Sequence, residues 1–250
     1  GVAQGKVQKL RFRSTILENE RDVWVYTPTG YSSTGRRYPL LIVFDGSAYI
    51  STVPTPVILD NLIGKGLIPP MVAISIGNAT ASSRAVELPC SADFADFLAG
   101  EVAPWMRRNY NATDSAEQVA VGGSSFGGLA SVFAAFRHPD VFGKVLSQSG
   151  SFWWKPVDRA EPEWLTAQIE NSPKLPTRLF MEVGLMENGA SLTGPSLLTT
   201  NRHLRDVLEA KGYALRYKEF NGGHEYLNWR GSFADGLLYL FSDDTANAGL

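Results

Sequence analysis

Alternating and continuous apolar segments divide the first third of the chain into strands. Residues 7–13 and 22–27 alternate apolar and polar side chains with a period of two, which is the pattern of a half-buried strand. Continuous apolar runs follow at residues 39–44 and 72–77, and both end at Gly or Asp. Such runs are typical of strands that a parallel sheet buries on both faces. We therefore expect a β-hairpin followed by buried parallel strands.

Helical spacing alternates with strands over the rest of the chain. Apolar side chains recur every three or four positions between residues 91 and 110, where Pro104 is expected to kink or split the helix. Further strands are predicted at residues 118–121, 145–149, 178–184 and 215–220, and further helices up to residue 135 and at 197–208 and 233–241. Residues 150–176 are expected to form a long irregular insertion. This alternation predicts a doubly wound, mostly parallel α/β sheet with helices on both faces, in one domain over residues 1–250.

Composition and charge exclude several classes of protein. The formal net charge is -2, whereas nucleic-acid binding normally needs a strongly basic surface. A membrane span is not expected, because no run of about 18 apolar residues occurs. The single cysteine, Cys90, can form neither an internal disulfide nor a multi-thiolate metal site. The first residues carry no signal-peptide core, so we expect a cytoplasmic protein, or a periplasmic one if the chain is a mature form.

The segment Gly123-Ser124-Ser125-Phe126-Gly127 carries the sharpest chemical signal. It fits G-x-S-x-G and lies between a buried strand and a helix of small residues, which is the context of a nucleophile elbow. In that turn a strained backbone presents the serine, and the flanking glycines avoid clashes with strand and helix. We therefore expect Ser125 to be a nucleophile and the fold to be that of an α/β-hydrolase. The alternative is an ordinary Gly/Ser turn.

A serine nucleophile needs a general base, and the chain has three histidines. His138 lies at a predicted helix end and His203 within a predicted helix, so structural roles are expected for both. His224 follows the last predicted strand, and loops at the carboxyl ends of parallel strands are where such folds place their sites. The order serine, acid, histidine in α/β-hydrolases agrees with His224 as the base.

The acid that orients this histidine is expected near the end of the strand at residues 178–184. Glu187 lies in the loop that follows, from which a carboxylate could reach His224. Glu182 lies within the strand and is interpreted as a structural carboxylate, and Asp206 lies on a predicted helix. The predicted triad is therefore Ser125, Glu187 and His224.

Two backbone amides should stabilise the oxyanion that forms when the serine attacks. One is expected from Phe126, directly after the nucleophile, and the other from Gly46 or Ser47 in the loop after the strand at residues 39–44. Gly46 is expected to permit the tight turn that presents the second amide. The alternative for this loop is a simple strand-ending turn.

Several segments together resemble the enterochelin (enterobactin) esterase family, within the esterase D-like α/β-hydrolases. They are, in chain order, residues 19–28, the R-x-x-E-L segment at 84–88, residues 147–154, the E-x-G-x-x-E segment at 182–187, residues 222–225 and residues 229–231. The second acid of E-x-G-x-x-E is Glu187. The resemblance extends from about residue 7 to residue 241.

The resemblance implies a serine esterase that hydrolyses the ester bonds of a catecholate siderophore trilactone, free or ferric, so that iron can be released. Larger members of this family carry an additional N-terminal domain. The mechanism expected here needs no metal and no organic cofactor. Feruloyl esterases, acetyl-xylan esterases and acyltransferases share the fold and stay open as alternatives. A non-catalytic siderophore-binding module is a further alternative, against which the intact predicted triad argues.

Aromatic and cationic side chains close to the predicted site suit an aromatic, anionic substrate. Rings can stack on a catechol, and a guanidinium can pair with phenolate or carboxylate oxygens. The candidate substrate-binding residues are Arg84, Trp153, Trp154, Trp229 and Arg230. The alternatives are that the tryptophans pack into the core and that Arg84 pairs with Glu87 inside its own motif.

Overall fold

Eight strands form one sheet in the computed structural model, which describes residues 1–189 and 194–242. The strands are β1 (Lys6–Ser14), β2 (Asn19–Thr27), β3 (Leu40–Val43), β4 (Val72–Ile76), β5 (Val119–Ser124), β6 (Lys144–Gln148), β7 (Arg178–Gly184) and β8 (Ala214–Phe220). Their order across the sheet is β1-β2-β4-β3-β5-β6-β7-β8. β1 and β2 form an antiparallel hairpin that pairs with β4, and every other pair is parallel. The predicted hairpin and mostly parallel sheet are therefore confirmed.

Helices connect the strands and cover both faces of the sheet. They are α1 (Gly46–Ser51), α2 (Thr55–Gly64), α3 (Arg84–Glu87), α4 (Ala92–Phe97), α5 (Ala103–Tyr110), α6 (Phe126–Arg137), α7 (Trp164–Glu170), α8 (Leu197–Ala210) and α9 (Tyr226–Phe241). Within the two described ranges, no helix has both the length and the apolar character that a membrane crossing requires. The cytoplasmic location stays a prediction.

The central strands are buried on both faces, as their continuous apolar sequences predict. In β3 the side chains of Leu40 and Ile42 belong to one apolar core, and those of Leu41 and Val43 belong to the other. The first core includes residues of α4, α5, α6 and α8, and the second includes residues of α2 and α9. Successive side chains of a strand point to opposite faces, so a strand between two layers must be apolar throughout.

The strand order reverses between β3 and β5. From β3 the chain moves outward to β4 on one side and then returns to β5 on the other. The loops that follow β3 and β5 therefore leave the sheet in opposite directions and open a crevice at the carboxyl ends of these strands. The loop after β3 begins at residue 44 and the turn after β5 contains Ser125. The topology thus brings the predicted oxyanion loop and the predicted nucleophile to the same crevice.

The helix predicted over residues 91–110 is interrupted, as Pro104 led us to expect. A π-helical turn at Leu98–Val102 follows α4, and α5 then begins at Ala103 with Pro104 in its first turn. Proline is tolerated in a first turn because its missing N–H would have no intrahelical acceptor there. The wider π-helical turn joins the two α-helical segments.

Several element boundaries differ from the sequence prediction. β5 continues through Gly122 and Gly123 because its pairing with β6 extends to Ser124. α9 begins at Tyr226 instead of near residue 233, so that Trp229 and Arg230 lie on a helix. The stretch at residues 150–176 contains α7 and is not irregular throughout, and α1 and α2 lie where no helix was specified.

Candidate active site

Ser125 occupies the turn between β5 and α6 in a strained backbone conformation. Its φ of 59° and ψ of −121° lie in a sparsely populated region for a residue other than glycine. Its amide donates to the Gln148 carbonyl at 2.9 Å, and its carbonyl accepts from the Ser151 amide at 3.0 Å. The end of β6 therefore holds the turn in place. This is the strand-to-helix geometry that a nucleophile elbow requires.

Close packing around the elbow explains two of its glycines. A Cβ on Gly123 would lie 3.0 Å from the Cα of Gly127, and a Cβ on Gly128 would lie 2.7 Å from Ser147 Oγ. At Gly127 the nearest atom to an added Cβ is 3.7 Å away, which is an ordinary contact. The expected steric role of Gly127 is therefore corrected. Gly128, one residue further, is the glycine that lets α6 approach β6.

His224 and Glu187 form a hydrogen-bonded pair at the ends of two neighbouring strands. Glu187 Oε2 lies 2.6 Å from His224 Nδ1. The Glu187 side chain is 2% exposed, whereas that of His224 is 37% exposed. Because Nδ1 faces the carboxylate, Nε2 is the ring nitrogen that can accept a proton from another group.

Two serines after β6 complete the arrangement, although sequence reasoning gave them no role. Ser151 Oγ lies 3.3 Å from Ser125 Oγ, and within the described chain this is the hydrogen bond that the Ser125 hydroxyl makes. Ser149 Oγ donates to Glu187 Oε1 at 2.6 Å. The available signal was a Ser-Gly-Ser sequence directly after a buried strand, at the edge where the other site residues lie.

In the loop after β3, Asp45 has a left-handed conformation, at φ 51°, and α1 begins at Gly46. The expectation that Gly46 supplies the tight turn is corrected, because Asp45 has the positive φ. Gly46 is required by close approach instead, since a Cβ there would lie 2.9 Å from the Ile76 carbonyl carbon. Phe126 and Gly46 are the first residues of their helices, and amides in a first turn have no intrahelical acceptor.

The R-x-x-E-L segment makes two separate ion pairs. Arg84 binds Asp45 through Nε and Nη2, at 2.7 and 2.8 Å. Glu87 binds Arg21 of β2 instead, at 2.7 Å, and both of these side chains are buried. The alternative that Arg84 pairs with Glu87 is therefore wrong. α3 is tied both to the loop after β3 and to the hairpin.

The Phe126 ring has a guanidinium and an indole as neighbours. Arg84 Cζ lies 5.8 Å from the Phe126 ring centroid, and the Trp153 ring lies 5.9 Å from it. All three side chains are partly exposed. We call this surface the Arg84–Phe126–Trp153 wall. Phe126 directly follows Ser125 in the chain.

The other three candidate substrate-binding residues lie in different surroundings. Trp154 packs edge-to-face on Trp164, with ring centroids 6.1 Å apart, as the core-packing alternative predicts. Trp229 is 3% exposed and its Nε1 donates to Ser149 Oγ at 3.0 Å. The expectation that Trp229 contacts substrate is therefore wrong, because its ring is buried beneath the site. Arg230 is exposed on α9, and its role stays a prediction.

The remaining histidines and the cysteine lie in structural positions. His138 Nε2 lies 2.6 Å from Asp96 at the end of α6, and His203 Nδ1 lies 2.7 Å from Glu163. Burial raises the pKa of the Cys90 thiol well above its ordinary value, which keeps it protonated. In the described parts of the chain, no cluster of three or more His, Cys, Asp or Glu residues is arranged to hold a metal ion.

Glu182 is a buried carboxyl that hydrogen bonds hold within the sheet. Its Oε1 accepts from Gln148 Nε2 at 2.7 Å and from Ser232 Oγ. Burial raises its pKa to about 7, although both hydrogen bonds oppose the rise. These contacts agree with the interpretation of Glu182 as a structural carboxylate.

Three features of this structure are found together in one class of fold: a mostly parallel sheet with helices on both faces, a strained serine at a strand-to-helix turn, and a His–carboxylate pair at the same edge. The fold is therefore of the α/β-hydrolase type. The model of the family described as putative esterase matches residues 14–240, and the chain belongs to this family.

Known relatives confirm the resemblance to enterobactin esterases. The chain is 32% identical to the iron(III) enterobactin esterase of Dickeya dadantii, over 96% of this chain and 56% of that protein. The crystal structure of the enterobactin esterase from Shigella flexneri in the presence of enterobactin matches with a TM-score of 0.83 and 30% identity, over 94% of this chain and 59% of that one. The chain thus spans a little more than half the length of these relatives. A ferulic acid esterase from Anaeromyces mucronatus shares the fold, with a TM-score of 0.77 at 18% identity.

Proposed function

We propose that this chain hydrolyses the ester bonds of a catecholate siderophore trilactone, free or as its ferric complex. One observation carries the catalytic part of the proposal. The His224–Glu187 pair, at 2.6 Å, lies at the same sheet edge as the strained Ser125. The enterobactin esterases that the chain resembles support the choice of substrate.

The reaction begins with the Ser125 hydroxyl turning from Ser151 toward His224. His224 Nε2 removes the hydroxyl proton, and Oγ forms a bond to the ester carbonyl carbon. The resulting oxyanion accepts hydrogen bonds from the Phe126 amide and from the amide of Gly46 or Ser47. The carbon–oxygen bond to the leaving alcohol then breaks, and the alcohol takes the proton from His224.

Water completes the cycle by the same steps. His224 removes a proton from water, the hydroxide attacks the acyl carbon, and Ser125 leaves with the proton that His224 returns. Glu187 holds the ring through Nδ1 and stabilises its protonated form. Apart from water and the substrate, every group in these steps is a side chain or backbone amide of this chain, so the proposed mechanism uses no cofactor.

The Arg84–Phe126–Trp153 wall supports an aromatic, anionic acyl group. Aromatic rings can stack against Phe126 and Trp153, and Nη1 of Arg84 takes no part in the pair with Asp45. A cation beside the rings favours catecholate oxygens over the single phenol of a ferulate. A feruloyl esterase is the second candidate, because the same rings would also accept a feruloyl group.

The substrate is tested by turnover of three esters under matched conditions: a catecholate trilactone, a feruloyl ester and an acetyl ester. We expect the highest kcat/KM for the trilactone, with linear hydrolysis products detected by mass spectrometry. Trp153→Ala should lower this kcat/KM about three- to tenfold, the effect of losing one aromatic contact, and leave acetyl ester turnover unchanged.

Val157→Ala is the control for this substitution, because Val157 is fully exposed on the same segment. A higher kcat/KM for the feruloyl ester would replace the proposed substrate with the second candidate. Transfer of the acyl group to a sugar in preference to water would identify an acyltransferase instead.

A further inference from the structure

The Ser149 hydroxyl joins the indole of Trp229 to the carboxylate of Glu187. Trp229 Nε1 lies 3.0 Å from Ser149 Oγ, and Ser149 Oγ lies 2.6 Å from Glu187 Oε1. Ser149 is completely buried, and Trp229 is 3% exposed. These contacts are therefore shielded from water. In such buried surroundings a hydrogen bond is stronger than it is in water.

The chemistry of the three groups determines which of them donates in the Trp229–Ser149 and Ser149–Glu187 hydrogen bonds. An indole N–H can only donate, and an ionised carboxylate can only accept. The Ser149 hydroxyl must therefore accept from Trp229 and donate its single proton to Glu187. The Gly184 amide donates to the same Oε1 at 2.8 Å, so that two donors hold this oxygen and leave Oε2 for His224.

Trp229 also contacts His224, the partner of Glu187. The Trp229 and His224 rings meet edge to face, with centroids 4.9 Å apart and planes at 90°. Trp229 therefore contacts the imidazole directly and also reaches its carboxylate partner through Ser149. The four side chains form a closed loop of His224, Glu187, Ser149 and Trp229.

We propose that Ser149 and Trp229 are positioning residues for the Glu187–His224 pair. They act through Glu187 and His224 and do not touch the substrate. The Ser149 proton fixes the rotation of the carboxylate, and the indole fixes both the Ser149 hydroxyl and the plane of the imidazole. This inference rests on the proposed function, because it assigns roles within the same triad.

The backbone of Ser149 supports this role. Its φ is 47°, and its amide donates to the Glu182 carbonyl at 2.7 Å, which fixes the residue at the end of β6. A left-handed conformation is unfavourable for a residue with a Cβ, so the site keeps this serine at a conformational cost. Ser149→Ala keeps the Cβ and the same backbone, and removes only the hydroxyl.

The test compares Ser149→Ala, Trp229→Phe and the double variant with the wild-type chain on an activated ester. Ser149→Ala should lower kcat about 10- to 100-fold with KM within twofold, because a misplaced catalytic group slows the reaction without weakening substrate binding. Trp229→Phe, which keeps a ring but removes the N–H, should lower kcat by a smaller factor. The double variant should lose no more than Ser149→Ala alone, since both act through one chain of hydrogen bonds.

A second readout separates positioning from loss of structure. The low-field proton resonance of the His224–Glu187 hydrogen bond should shift or disappear in Ser149→Ala. Ser147→Ala is the matched control, because Ser147 is a buried serine two residues earlier, in β6, whose hydroxyl has no partner among the described residues. If Ser149→Ala does not fold, Ser149→Gly removes the same hydroxyl and adopts a positive φ more easily.

The outcomes distinguish this proposal from the proposed function. Wild-type kcat and an unchanged low-field resonance in Ser149→Ala, with Glu187→Ala at least 100-fold slower, would overturn the positioning role and leave the triad intact. Full activity of Glu187→Ala would overturn the triad itself. Additive losses in the double variant would show that Ser149 and Trp229 act independently, which also contradicts the proposal.

Discussion

Two glutamates five residues apart differ in what surrounds their carboxyl groups. Glu187 is at hydrogen-bond distance from a histidine, a backbone amide and a hydroxyl, whereas the described hydrogen bonds of Glu182 come from a side-chain amide and a hydroxyl. Burial dominates at Glu182 and raises its pKa to about 7, although its two hydrogen bonds oppose the rise. In the folded protein Glu182 therefore stays neutral up to a higher pH than it would in the unfolded chain.

This raised pKa makes stability depend on pH. The folded state binds the Glu182 proton more tightly than the unfolded state, so its stabilising effect is complete below about pH 4.5 and is lost as the pH rises to about 7. The free energy of unfolding should fall over this interval by ~3 kcal/mol at most, at about 1.4 kcal/mol per pKa unit. Glu182→Gln, which resembles the neutral form, should lack this decrease in urea unfolding measured between pH 4.5 and 8.

Glu117→Gln is the control for this prediction, because Glu117 is an exposed glutamate whose removal should leave the pH dependence as in the wild type. The same pH dependence in Glu182→Gln and in the wild type would mean that another group is responsible.

At the residue scale, the sequence predicts best where one motif determines one position. Ser125 and His224 follow from a G-x-S-x-G turn and from a histidine directly after the last strand. Trp229 was misassigned because its position depends on where α9 begins, and no cap residue marks that start at Glu225. Ser149 was missed because a serine carries no sign of its hydrogen-bond partners.

At the scale of elements, the position of the elbow depends on how closely α6 approaches β6. Strand signals were the most reliable in this chain, because continuous apolar runs such as residues 40–43 are needed for burial on both faces. Short helices such as α1 and α7 were not predicted. They bury few residues each and have no repeated apolar stripe to mark them.

Replacing each of two adjacent glycines in the first turn of α6 with alanine should have different effects on stability. Gly128→Ala places a Cβ 2.7 Å from Ser147 Oγ and should destabilise the fold by about 1–3 kcal/mol, the usual effect of overpacking. Gly127→Ala meets nothing closer than 3.7 Å and should be neutral or stabilising by up to about 1 kcal/mol, because alanine favours the helix. Urea unfolding of both variants measures the difference, and equal effects of the two substitutions would contradict the close approach inferred at Gly128.

At the scale of the whole molecule, the site collects residues from loops that are far apart in sequence. Residues after β3, β5, β6, β7 and β8 meet at one edge of the sheet, and α3 adds Arg84. The fold class could be predicted because it depends on the alternation of strands and helices. The ion pair of Arg84 with Asp45 could not be predicted from the sequence. The two residues are 39 positions apart, with Asp45 just before α1 and Arg84 at the start of α3.

The net charge of -2 bears on how the whole molecule could attract an anionic substrate. A protein with little overall charge must gather positive charge locally if it binds an anionic substrate. Arg84 supplies such a charge beside Phe126, even though Asp45 engages one edge of its guanidinium. We infer that binding depends on this local cation more than on the field of the whole protein.

The central claim is that Ser125 is a nucleophile that His224 activates. Labelling of the intact chain with a fluorophosphonate, followed by peptide mass spectrometry, tests it most directly. We predict a single adduct on Ser125 that is absent in Ser125→Ala and that forms at least about 100-fold more slowly in His224→Ala, the usual contribution of a general base. An adduct on a different residue, or undiminished labelling of Ser125→Ala, would contradict the claim.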